Sequence, residues 1–177
     1  QIVKLWWMMV IYKSSMLQSK KKSFNQIKIH SQYSICEGAL KIENLKEYCK
    51  KNKIQSVGLS DTYNLSGALE FSENISSVGT QPIIGSQVQF KFKNTYGLIP
   101  LIAKNYNGYK NIIELSSKAY LENVDNDQPH CSIDDLTKYS GGIIVLSGAI
   151  NNLIGNMFNK GLFEELDELI TTLNNNF

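Results

Sequence analysis

Hydrolysis at a metal cluster needs several His, Asp, Glu or Cys side chains converging from the ends of different strands. There the metal lowers the pKa of a bound water and clamps the attacking and leaving oxygens. This chain has two histidines, His30 and His130, and three cysteines, Cys36, Cys49 and Cys131. His30 closes a short strand-like stretch, Gln26–His30, and Asp61 stands just past the apolar run Ile54–Ser60, which reads as a buried strand. One imidazole and one carboxylate therefore fall at two strand ends, with Lys28 near the first. On these residues alone, His30 is expected to be a hydrogen-bonded strand-end histidine. Asp61 is expected to cap the following turn or to accept from Lys28. His130 lies in a polar stretch and is expected to be solvated. The cysteines are odd in number and form no CxxC pair, which argues against a disulfide framework and a structural zinc site. Cys49 falls in an apolar helix phase and is expected to be buried, as in a protein of the reducing cytoplasm.

The elements that would carry these residues alternate from Phe24 onward. Ile42–Lys51 has helical spacing at Ile42, Leu45, Tyr48 and Cys49. Ser66–Val78 reads as a second helix. Pro82 opens a strand pair, Ile83–Phe92 and Leu98–Ala103, around a turn at Lys93–Gly97. Gly108–Leu121 is the clearest helix, with a wide apolar face that includes Tyr109, Ile113 and Tyr120. Residues 122–131 read as a loop. Ser132 followed by Asp135 is a plausible N-cap with an acidic third position, opening a short helix to about Tyr139. A strand at Gly142–Ser147 and an amphipathic helix at Leu162–Leu173 close the pattern. The alternation predicts an α/β sheet or barrel with parallel strands.

At 177 residues and 20.0 kDa the chain suits one domain, and its net charge of +2 is too small to argue for nucleic-acid binding. All 18 basic residues are lysines, which removes the usual bidentate reader of phosphate and guanine. Abundant Asn, Lys and Ile point to AT-rich coding as the simpler reason. The lysine clusters at 20–22 and 50–53 are expected to be solvated. The apolar run at residues 1–12 is too short for a membrane span and contains Lys4. Its positive charges follow it, opposite to a signal peptide. No membrane association is expected, and residues 1–22 are read as a non-native or disordered appendage.

Five blocks of sequence resemble a known family. They are IHSQYSICEG at Ile29–Gly38, LSDTYNLSGALEF at Leu59–Phe71, PIIG at Pro82–Gly85, AKNYNGYKNIIELSSKAYLE at Ala103–Glu122 and GIIVLSG at Gly142–Gly148. Together they are similar to the PHP (polymerase and histidinol phosphatase) domain at the start of bacterial DNA polymerase III alpha subunits. The resemblance implies a distorted (β/α)7 barrel, incomplete here, with residues 23–177 as a PHP domain truncated at its C-terminal end. Active members hold a metal cluster. The family's H-x-H motif falls on Lys28-Ile29-His30, its D-H pair on Asp61-Thr62, and a Glu on Gln87. A later His falls on Leu98, and a Cys on Ala149. Of these positions only His30 and Asp61 retain a ligand type, while the packing and turn positions match well.

The resemblance therefore implies a structural domain with a degenerate metal site, no catalytic residue and no cofactor in this stretch. The whole protein would be a DNA-directed DNA polymerase, a nucleotidyltransferase of DNA replication, with Mg2+ held by aspartates of a later palm domain. Implied partners are the remaining polymerase domains, DNA, an exonuclease subunit and a sliding clamp. Two alternatives stay open: an active PHP phosphoesterase or 3′–5′ exonuclease, and a free-standing, non-enzymatic PHP module.

Overall fold

The computed structural model describes residues 24–122 and 128–177. The apolar run after Ile54 forms β1 (Ser56–Thr62), which lies parallel to β2 (Gln81–Phe92), with Ser56 opposite Gln81 and Thr62 opposite Gln87. A tight turn, with Lys93 at φ 50°, returns the chain as β3 (Thr95–Ala103), antiparallel to β2. The short β4 (Cys131–Ser132) lies parallel to the far end of β2, and β5 (Ile143–Val145) runs antiparallel to β3. The sheet order is β1-β2-β3-β5, with β4 beside β2.

The expected parallel sheet is therefore mixed. A link as short as Lys93–Asn94 can join only antiparallel strands, whereas parallel neighbours need a crossover such as the helix between β1 and β2. Among the described residues β5 pairs with β3 alone, so the sheet is open rather than closed into a barrel.

Where Gln26–His30 was expected as a strand, the structure forms a single parallel bridge, Ile29 to Leu59, along the outer side of β1. Ile29 N–H donates to Gly58 O at 3.1 Å, Gly58 N–H to Gln26 O at 2.8 Å, and Ser60 N–H to Ile29 O at 2.8 Å. Glycine at 58 makes this approach possible, because a Cβ there would meet the Ile27 carbonyl oxygen at 2.5 Å.

Among the described residues six helices cover the sheet: α1 (Ile42–Asn52), α2 (Ala68–Ser76), α3 (Tyr106–Leu121), α4 (Ile133–Lys138), α5 (Leu153–Asn159) and α6 (Phe163–Asn176). In α1 the buried stripe is Ile42, Leu45 and Cys49, while Tyr48 is 57% exposed, one position off the inward phase. In α3 the inward residues are Ile112, Leu115 and Ala119, so the apolar face is narrower than expected; Ile113 and Tyr120 are exposed. Its cap is Asn105, whose side chain accepts from Gly108 N–H at 3.0 Å. The expected cap of α4 is a full capping box between Ser132 and Asp135. The short α5, absent from the sequence reading, is held by Leu153 and Met157, both fully buried.

Two cores result. Ile42, Leu45, Val57, Leu59, Phe71 and Ile75 join α1 and α2 to β1. Val88, Phe90, Leu101, Leu115, Leu136 and Leu169 centre a larger core on the helix-packed side of β2 and β3. Burial of each such side chain contributes about 2 kcal/mol.

Candidate functional site: the strand-end polar cluster

Side chains alternate across a strand, so one face of β2 carries Val88 and Phe90 into the core while Gln87 and Gln89 take the other. Thr62 on β1, opposite Gln87, and Leu98 on β3, opposite Gln89, share that second face. Both glutamines are buried, at 3% and 8% exposure. The second face is therefore polar where the first is apolar, and His30, at the end of the strand outside β1, joins it.

Asp61 does not. It follows Val57 and Leu59 in the alternation and turns away from Thr62. Its carboxylate is buried and filled by donors from the loop after His30. Ser31 N–H donates at 2.6 Å, the Ser31 hydroxyl at 2.7 Å and the Ser34 hydroxyl at 2.7 Å. The Ser34 oxygen in turn accepts from Thr62 N–H at 3.1 Å. A buried carboxylate is tolerable when hydrogen bonds replace its lost hydration, and here they do so without a cation. Among the described residues Lys28 forms no ion pair. The expected acceptance from Lys28 is therefore replaced by the serine donors.

On the polar face the contacts form a chain. The Gln87 amide nitrogen donates to Thr62 Oγ1 at 3.0 Å, and Thr62 donates to Glu37 Oε2 at 2.5 Å. The same amide nitrogen stands 3.5 Å from His30 Nε2. Beside it, Tyr63 sits in the left-handed region at φ 63°, which swings its ring back so that its hydroxyl donates to Gln89 Oε1 at 2.5 Å. Burial, then the Glu37 carboxylate and Tyr120, push the Tyr63 phenol above its usual pKa and keep it a donor.

Of the sequence-derived positions, His30, Thr62 and Gln87 come together, and Leu98 lines the same face as a half-buried apolar side chain. Ala149 lies exposed in the turn between β5 and α5. His130 is a correction: it is buried, 7% exposed, with its ring edge-to-face against Tyr96 at 5.1 Å. It leads directly into β4, which pairs with β2. Ser31, Ser34, Glu37, Tyr63 and Gln89 had not been singled out. Serine at positions 31 and 34 reads as ordinary turn chemistry, and nothing local ties it to a carboxylate near position 60.

A metal centre needs lone pairs converging from several anionic or imidazole ligands. Here three hydrogen bonds already occupy the Asp61 oxygens, the Gln87 nitrogen is a donor, and Leu98 has no ligand atom. Among the described residues, no group of three or more His, Cys, Asp or Glu could hold a metal ion. The side chains present do not fit the polynuclear centre that the family resemblance implies.

The PHP domain family matches over residues 26–177. Curated relatives include DNA polymerase III subunit alpha of Borreliella burgdorferi, 36% identical over 159 residues, which are 83% of this chain and 14% of the relative. The Haemophilus influenzae subunit is 32% identical over 86% of this chain and 13% of its own length. The Caulobacter vibrioides subunit is 30% identical over 92% of this chain and 15% of its own length. This chain thus spans about one-seventh of the relatives it matches. With the family match running through β1 to α6 and every strand between them, the chain belongs to the PHP domain family.

Proposed function

We propose that this chain is the PHP region of a replicative DNA polymerase III alpha subunit, and that within that protein the region is structural rather than catalytic. The observation that carries the second half is the Asp61 carboxylate, whose oxygens are taken up by Ser31 and Ser34. Lys28, Thr62, Gln87, Leu98 and Ala149 then stand as vestiges of a metal site, with His30 and Asp61 its retained ligand types. The open five-stranded sheet is taken as part of a PHP-type (β/α)7 barrel, with residues 23–177 as the domain and 1–22 as an appendage; residues 1–23 lie outside those described. The alpha-subunit reading is supported by the three relatives and the order of the matched blocks. On that reading the whole protein extends DNA in the cytoplasm with Mg2+ held in a palm domain. It works with an exonuclease subunit and a sliding clamp, and this region braces the other polymerase domains. No helix among the described residues is long and apolar enough to cross a membrane.

Two measurements test this. Elemental analysis of the purified chain after exposure to zinc and manganese, with a phosphoesterase assay beside it, should find neither stoichiometric metal nor turnover. Bound metal that disappears in an Asp61→Ala variant would overturn the structural reading. Sequencing the gene past the codon for Phe177 should find several hundred further codons carrying paired palm aspartates. A stop codon within a few tens of codons would end the polymerase reading.

A further inference from the structure

The polarity of the polar-face chain is dictated from its surface end. A carboxylate only accepts, so Thr62 must donate its single hydroxyl proton to Glu37, at 2.5 Å. The Thr62 oxygen is then left as the acceptor for Gln87, which must present its NH2 group rather than its carbonyl, at 3.0 Å. That NH2 group is also the atom nearest His30 Nε2, at 3.5 Å. An amide nitrogen cannot accept, so a hydrogen bond across this contact requires Nε2 to be the unprotonated nitrogen of the ring.

We infer that Glu37, through Thr62 and Gln87, sets the tautomer of the uncharged His30 ring as Nδ1–H. The inference rests on the metal-free reading above, since a cation on Nε2 would displace the Gln87 amide. The two atoms left unpartnered at the inner end are His30 Nδ1 and Gln87 Oε1, both buried. They are the atoms a chain of this polarity leaves over. The relay joins four separate pieces of backbone: the loop bearing Glu37, the outer strand bearing His30, β1 and β2. Glu37 is a positioning residue in this relay, acting on an imidazole that it does not touch.

Long-range 1H–15N correlation of the imidazole nitrogens tests this in the full chain, with a His130→Gln variant assigning the two histidines. The parent protein should show a protonated Nδ1 and a pyridine-like Nε2 at His30. Glu37→Gln keeps a carbonyl acceptor and adds an amide donor, which permits every link to reverse. The Nε2–H form should then appear in that variant, although residue 37 is exposed and the fold unaltered. Gln87→Leu should likewise release the tautomer. An Nε2–H ring in the parent, or an Nδ1–H ring unmoved in both variants, would overturn the inference. Adding zinc separates the two readings. A His30 spectrum that responds to zinc defeats the metal-free site, whereas a wrong tautomer in a zinc-insensitive protein defeats only the relay.

Discussion

Asp61 is the residue on which the most depends, because its carboxylate ties the loop after His30 to the end of β1. Replacing it by Ala would leave one backbone N–H and two serine hydroxyls without their shared acceptor. Hydrogen bonds to a charged group contribute about 1.5–3 kcal/mol each, and the freed donors add a desolvation cost. Asp61→Ala should therefore lower unfolding stability by roughly 3 kcal/mol or more in urea titration, by the same amount with and without EDTA. A loss that vanished in EDTA would mean that the carboxylate acts through a metal. The positions of His30 and Asp61 at two strand ends were legible in the sequence, because apolar runs and their limits are local. Their partners were not, since Ser31 and Asp61 lie 30 residues apart and meet only through the parallel pairing of the outer strand with β1.

Capping signals in the sequence were reliable for α4, where Ser132 and Asp135 cap each other as their spacing implies. Removing the cap by Ser132→Ala should cost about 1 kcal/mol. Burial raises the Asp135 carboxyl, but the Ser132 hydroxyl and N–H and the Lys118 ammonium outweigh it, and the net shift is downward from 3.8. A depressed folded-state pKa contributes stability that is present above the unfolded value and lost as pH falls through the folded one. The stability gap between the parent and Asp135→Asn should thus be full above pH 4 to 5 and close as the pH drops below about 4. Thermal melts across that range would show it, and a gap independent of pH would refute it. Elements without such signals were missed or misjudged. The helix α5 has seven residues, no side-chain cap and only two fully inward side chains, too little periodicity to stand out. The aromatic ring of Tyr48 fits an apolar pattern in sequence, yet one helical position of phase leaves it in water.

At the scale of the molecule, no described strand pairs with the outer side of β5. Beside it lies a groove of about 500 Å³ lined by Ile143, Ile144, Val145, Ile154, Ile170 and Phe177. An unpaired strand edge next to exposed apolar side chains favours association with another strand. The isolated chain should therefore associate with rising concentration in sedimentation velocity, and Ile144→Lys should reduce that association. A monomer at every concentration would show that the edge is not adhesive. By itself the sequence determined the α/β alternation, five of the six helices among the described residues, the α4 cap and the family, since periodicity, turn chemistry and blocks of residues are local properties. It also located the strand ends where a site would stand. Only the tertiary structure decided that the sheet is mixed, that His130 is buried, and that Asp61 faces serines rather than Lys28. Those outcomes depend on which strands pair and which way each residue points across the pleat, and both are settled by contacts between segments far apart in the chain.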